Sequence, residues 1–217
     1  MNNAELYECN NDLQKRDTLE CLEEYAKKLK WNRTGDRIID IGCAEGSVTV
    51  NLLKEYIPKN FKVLLGCDVS EKMVTFANVH HKDERTSFSV LDIARKVPEE
   101  MCYNFDHVFS FYAFHWIKDQ ETAFCNIFDL LEKGGQCLLT FLGHNPMFDV
   151  YRILAKSNKW SCWLEDVEKF ISPYHDSQVT KAAIVLIMNI LIKKRKCYGS
   201  INHTGRWSEY SLISLAS

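Results

Sequence analysis

The stretch "GDRIIDIGCAEGSVT", Gly35 to Thr49, decides the fold. Ile38-Ile39-Asp40-Ile41 reads as a short buried strand, Gly42-Cys43-Ala44-Glu45-Gly46 as a tight loop, and Ser47 onward as a helix to about Tyr56. A strand that turns through glycines into a helix lets the backbone approach a bound nucleotide closely. The third glycine of a dinucleotide fingerprint is missing, however, so the loop alone leaves the ligand open.

Outward from this loop, strands alternate with helices. Lys62–Cys67 reads as a strand ending at Asp68, and Ser70 as the N-cap of the helix that follows. Strands are expected over Thr86–Val90, His107–Phe111 and Gln136–Leu142, with a helix at about Glu121–Leu131 closed by Gly134-Gly135. Leu19, Leu22, Ala26 and Leu29 recur at helical spacing between Asp17 and Trp31. The pattern predicts an α/β fold, a parallel sheet covered by helices on both faces. The aromatic-rich segment from about 145 to 177 is expected to form a helical insertion over the sheet.

Bulk properties narrow the setting. The 217 residues are 46% hydrophobic and 26% charged with a net charge of -2, which suits a globular chain and offers no electrostatic footprint for nucleic acid. Nine cysteines without a CxxC pair point to free thiols and a cytoplasmic location rather than to disulfides or zinc. The apolar run Ala182–Ile192 is too short for a transmembrane segment, which needs about 20 residues. His80-His81 in a polar stretch reads as solvent-facing, and no metal is expected.

Ligands of open α/β sheets sit beyond the carboxyl ends of the strands. Asp40, Asp68 and Asp92 fall there. Asp68 suits the two hydroxyls of a ribose and Asp92 the exocyclic amine of an adenine. Asp40 and Glu45 crowd the glycine loop with negative charge, which disfavours a pyrophosphate and favours an ammonium and a sulfonium. S-adenosylmethionine (SAM) meets that description.

"IDIGCAEGSVT", "GCDVSEKMVTFAN", "SFSVLDI", "FDHVFSFYAFHWI" and the long "FLGHNPMFDVYRILAKSNKW" region resemble the insect juvenile hormone acid O-methyltransferase family. The resemblance spans about residues 1–177; the first three motifs occur in class I methyltransferases generally, and "FSFY..HWI" and "FDVYR" are specific to the family. It implies a Rossmann-like domain over 1–177, with a helical cap (about 1–34), a core (about 35–144) and the insertion (about 145–177). It also implies methyl transfer from SAM to the carboxylate of farnesoic acid or juvenile hormone acid. Cofactor contacts carry over to Asp40, Gly42, Asp68 and Asp92, with Cys43, Ala44, Val69 and Ile93 beside them. Substrate-carboxylate contacts carry over to Gln14 and Trp116, with His115 as a pocket hydrogen-bonder. Because the acid is already ionised at neutral pH, no general base is expected.

Two departures stand out. Where the family reads "FSFYTLHWI", this chain has Ala113-Phe114, which leaves the acid open. After Ser177 the pattern breaks into a divergent tail, 178–217, with a basic run Lys193-Lys194-Arg195-Lys196 read as a solvated end. An alternative transcript, or a gene model that reads past a splice boundary, would explain the break. The sheet is therefore expected to lack the final strands of the usual seven, leaving an apolar edge open to self-association. Alternative readings are an inactive SAM-binding form and a methyltransferase for another small acid.

Overall fold

The computed structural model describes residues 3–176 and two strands beyond them, Ala183–Asn189 and Ser211–Ile213. Two helices lead the chain, α1 (Ala4–Glu8) and α2 (Asp12–Tyr25). Then come β1 (Arg37–Ile41), a π-helical turn (Thr49–Leu53) running into α3 (Lys54–Tyr56), β2 (Val63–Asp68), α4 (Glu71–His80), β3 (Thr86–Val90), β4 (Phe105–Phe111), α5 (Gln120–Leu130) and β5 (Leu131–Leu142). The insertion is α6 (Pro146–Ala155) followed by single 3-10 turns, Ser161–Trp163 and Val167–Phe170. The strand order is β3-β2-β1-β4-β5-β6-β7, where β6 is Ala183–Asn189 and β7 is Ser211–Ile213. β1 to β5 run parallel.

Three expectations are corrected. The final strands are present: β6 pairs antiparallel with β5 from Gln136↔Asn189 to Leu142↔Ala183, and β7 pairs with β6. An apolar run satisfies the backbone groups that β5 would otherwise leave bare. The open edge on which self-association was expected is thereby taken. Gly134-Gly135 do not close α5, which ends at Leu130 and passes directly into β5. Pairing jumps from Phe105↔Leu131 to His107↔Gln136, and the two glycines form the bulge, Gly134 at φ +89°. Among the described residues seven cysteines are free thiols, but Cys125 is disulfide-bonded. The basic run at 193–196 also lies outside them.

Strand alternation sorts the core into two layers. Ile39, Ile41, Val108, Leu139 and Phe141 face one side and pack with Ala123, Ile127 and Leu130 of α5. Ile38, Leu64, Phe109, Phe111 and Leu138 face the other and meet Cys21, Leu22 and Tyr25 of α2. α2 starts at Asp12 rather than Asp17, so residues 12–16 are helical too. Truncating the buried Leu22 to alanine would cost about 2–5 kcal/mol, so this contact helps anchor the helix. Ser70 does cap α4, accepting from the Met73 N–H at 3.5 Å.

Candidate active site

The α2-bearing face of the sheet carries the candidate site. Asp40 follows Ile38 by two residues and Phe111 follows Phe109 by two, so both lie on that face, at the carboxyl ends of their strands. The resulting cleft is lined by Tyr7, Gln14 and Thr18 from the helical cap, by Asp40, Gly42, Cys43, Ala44, Glu45 and Val48 from β1 and its loop, and by Phe111. Of the residues singled out from sequence, it brings together Gln14, Asp40, Gly42, Cys43 and Ala44.

The loop follows β1 closely. Gly42 takes φ +78°, and a Cβ there would stand 2.2 Å from the Ala113 Cβ. The glycine thus serves both a left-handed backbone and a close approach to the segment after β4. Ala44 takes φ +49° without being glycine. Its N–H donates to Asp68 Oδ2 at 3.0 Å, and the Ser70 N–H donates to Asp68 Oδ1 at 2.9 Å. Asp68 therefore ties the β1 loop to the end of β2. Val69 beside it is 67% exposed, an apolar side chain facing outward at a strand end.

Asp40 is fully buried and accepts from Thr49 Oγ1 at 2.6 Å. Burial pushes its carboxyl up to about 7; the Thr49 hydrogen bond opposes this and the negative charge of Asp68 adds to it. A cation in the cleft would favour the ionised form. Glu45 is buried as well, but Ser47 Oγ and Asn11 Nδ2 donate to it. The Tyr7 phenol is raised to about 12 by burial, then by Glu45 and Asp68.

The remaining sequence-derived residues stand apart from this lining. Asp92 accepts from the Ala94 N–H at 3.0 Å and pairs with Arg95 at 3.1 Å, at the end of β3. Ile93 sends its side chain into the core with Leu91 and Val97, and its carbonyl accepts from Asn126 Nδ2, so it offers the cleft no side chain. Trp116 is 45% exposed on the 3-10 turn Phe114–Trp116, three residues beyond the Ala113 that meets Gly42. His115 is buried; its Nδ1 accepts from the Leu142 N–H at 3.4 Å, and its ring lies 4.7 Å from that of Trp116. Burial pushes its imidazole down to about 3, which keeps it neutral. The Ala113-Phe114 departure acts mainly on the core: Phe114 is fully buried against Phe124 and Phe141.

Sequence reasoning missed Tyr7, Thr18 and Val48 as lining residues, whereas Glu45 lies in the loop where its charge was expected. A signal was available for Thr18, four residues after Gln14 and so on the same face of a helix. For Tyr7 there was none. Elsewhere, His144, Asp149 and His175 bring ligand-type atoms within 4.8 Å of one another. Their geometry is that of a clasp: the two imidazoles stack at 9°, His175 Nε2 lies 3.0 Å from Asp149, and the Asn145 N–H donates to His175 Nδ1. It holds α6 to the end of β5. No helix among the described residues is long and apolar enough to cross a membrane.

Comparison with known proteins agrees with this geometry. Residues 39–139 match the model of a methyltransferase domain. The chain is 58% identical over 188 residues to the juvenile hormone acid O-methyltransferase of Bombyx mori, covering 87% of this chain and 67% of that one. The Drosophila melanogaster enzyme of the same name is 43% identical over 181 residues, 82% of this chain and 61% of the relative. The matched region thus spans about two thirds of those relatives' length. Among solved structures, phosphoethanolamine N-methyltransferase 2 of Haemonchus contortus, in complex with phosphomonomethylethanolamine and S-adenosylhomocysteine, is 25% identical over 70% of this chain and 33% of that one, with a TM-score of 0.50. A glycine loop between Asp40 and Asp68, a helix laid over it and 58% identity along most of the chain lead to one conclusion: this chain belongs to the juvenile hormone acid O-methyltransferase family of SAM-dependent methyltransferases.

Proposed function

We propose that this chain esterifies an apolar isoprenoid acid, farnesoic acid or juvenile hormone acid, in the cytoplasm: a carboxylate oxygen of the acid takes the methyl group of SAM, whose S–CH3 bond breaks to leave S-adenosylhomocysteine. One observation carries the reading: the Gln14 amide, a neutral donor, lines the same cleft as Asp40, Gly42 and Ala44. The residues suit the cofactor. Asp40 is a buried carboxyl whose ionisation a cation would favour, Gly42 leaves no room for a side chain, and Val69 offers apolar surface beside Asp68. SAM, when bound, supplies a methyl group on a positively charged sulphur.

Each residue then has a task. Asp40 offsets positive charge, Gly42, Cys43 and Ala44 let the backbone come close, and Asp68 takes ribose hydroxyls with Val69 against the adenine. Asp92 and the backbone beside Ile93 bound the adenine's far side. Gln14 donates its amide N–H to the substrate carboxylate and Trp116 its indole N–H. His115, neutral throughout the working range, supports Trp116 and is not asked to take a proton. An acid with a pKa of about 4 to 5, like Asp and Glu, arrives ionised, so placement of one oxygen in line with the methyl group and exclusion of water remain as the work. Such orientation is worth roughly 7–11 kcal/mol at best.

The test is direct. Purified protein given methyl-labelled SAM and farnesoic acid should release labelled methyl farnesoate, and a panel of fatty acids should be poorer acceptors. No ester from any acid would remove the reading. Gln14→Ala should lower kcat/KM for the acid about tenfold or more, as loss of a hydrogen bond to a charged group does, while calorimetric SAM affinity stays within about twofold.

A further inference from the structure

α2 lays two polar side chains on the cleft one helical turn apart, and one of them lacks a partner. Thr18 lines the cleft with Gln14, is fully buried, and its Oγ1 meets no hydrogen-bond partner among the described residues. A threonine inside a helix ordinarily returns its hydroxyl to a carbonyl one turn back; this one does not. Buried hydroxyls are seldom left orphaned, because water has been given up and nothing replaces it.

The acceptors across the cleft are already engaged. Thr49 donates to Asp40, and Ser47 and Asn11 donate to Glu45. Charge is also segregated: both of these carboxyls belong to β1 and its loop, whereas α2 contributes only the neutral Gln14 and Thr18 to the lining. A ligand with a positive end and a carboxylate would set the positive end against the loop and the carboxylate against the helix.

We propose that Thr18 donates its hydroxyl to a ligand carboxylate: the second oxygen of the acid whose first oxygen Gln14 holds, or the carboxylate of SAM beside it. The inference rests on the reading that this cleft takes SAM and an acid, both of which carry a carboxylate. Thr18 is a ligand-binding residue for whichever of the two lies against α2.

Thr18→Val keeps the shape and removes the hydroxyl; Thr18→Ser keeps the hydroxyl. Thermal melts of the ligand-free variants should place Thr18→Val above wild type, since an unpaired polar group has been removed. Calorimetry should show Thr18→Val binding its carboxylate ligand about tenfold more weakly or worse, with Thr18→Ser near wild type. Two arms identify the ligand. If it is the methyl donor, SAM binds more weakly to Thr18→Val while decarboxylated SAM binds both proteins alike. If it is the acceptor, SAM affinity is kept and farnesoic acid, titrated with S-adenosylhomocysteine present, binds more weakly. Affinities for SAM and for the acid both within twofold of wild type in Thr18→Val would overturn the proposal, whatever the melt. Because these are binding measurements, an absence of ester in the turnover assay would sink the proposed function without deciding Thr18.

Discussion

The strand-end wall of the cleft and the α2 wall that faces it are held by different forces. Asp40, Gly42 and Ala44 belong to one strand and its turn, locked by backbone ladders on both sides and by Asp68. Gln14 and Thr18 ride on a helix that reaches the sheet through side chains. Leu22 and Tyr25 pack beneath it, Tyr112 donates to Asp17, Asn11 donates to Glu45, and Cys21 lies 3.1 Å from Thr140. A change in the first wall should disturb folding and binding together. A change in the polar side chains of the second should alter function with little effect on stability, provided Leu22 and Tyr25 stay packed.

The hardest blow to the strand-end wall is Gly42→Ala. A left-handed backbone and a 2.2 Å approach to Ala113 combine strain with overpacking, about 2–4 kcal/mol together. A domain of this size should lose roughly 5–15 °C in its melt and bind SAM poorly by calorimetry. A melt within 2 °C of wild type would show that the two loops part without cost. On the other wall, Tyr112→Phe removes the donor to Asp17. The expected outcome is a melt lowered by only a few degrees with kcat/KM down about tenfold, because α2 stays packed but loses its register over the loop. Equal proportional losses in stability and activity would erase the distinction between the walls.

Asp40 sharpens the comparison through pH. With its carboxyl at about 7 in the folded chain against an ordinary 3.8, the unfolded chain releases this proton first. Its contribution to stability is therefore full below about 4 and lost as pH rises through 7. His115 runs the other way: held near 3 against an ordinary 6.5, it contributes fully above 6.5 and loses that as pH falls toward 3. The two oppose each other in the wild-type melt, so the readout is Asp40→Asn. Its melt should exceed wild type by a margin that widens from pH 5 to 8, while SAM affinity falls and loses its rise through pH 7. A margin independent of pH would mean that Asp40 is ionised throughout.

The smallest effect belongs to Ala44→Gly. It relieves a left-handed alanine at φ +49°, worth about 1 kcal/mol, against a looser unfolded chain that takes part of this back. A melt raised by 1–3 °C with unchanged SAM affinity is expected, and a lowered melt would show that the alanine's methyl group contributes packing.

Local pattern made the β1 loop, the Ser70 cap and the positions of Asp40, Asp68 and Asp92 legible, since strand ends and caps depend on neighbours a few residues away. Which aromatic side chains line the cleft was not legible. Phe109, Phe114, Phe141 and Phe148 are all fully buried, while among the described residues Phe111 alone of the aromatics after β1 lines the cleft. Composition could not separate them. Gly134-Gly135 read as a helix stop because a glycine pair serves a bulge as readily as a cap, and only the pairing with β4 distinguishes the two.

The amino-acid sequence by itself determined the order of strands and helices, the glycine turn and the acids at the strand ends, because periodicity and turn chemistry act over short range. The tertiary structure decided which face α2 covers, and hence that Gln14 and Thr18 meet Asp40. It also decided that Ala183–Asn189 completes the sheet beside β5. Both are long-range choices: an apolar helix stripe or a bare strand takes the partner that removes most apolar surface and unpaired backbone from water, and no local pattern names that partner.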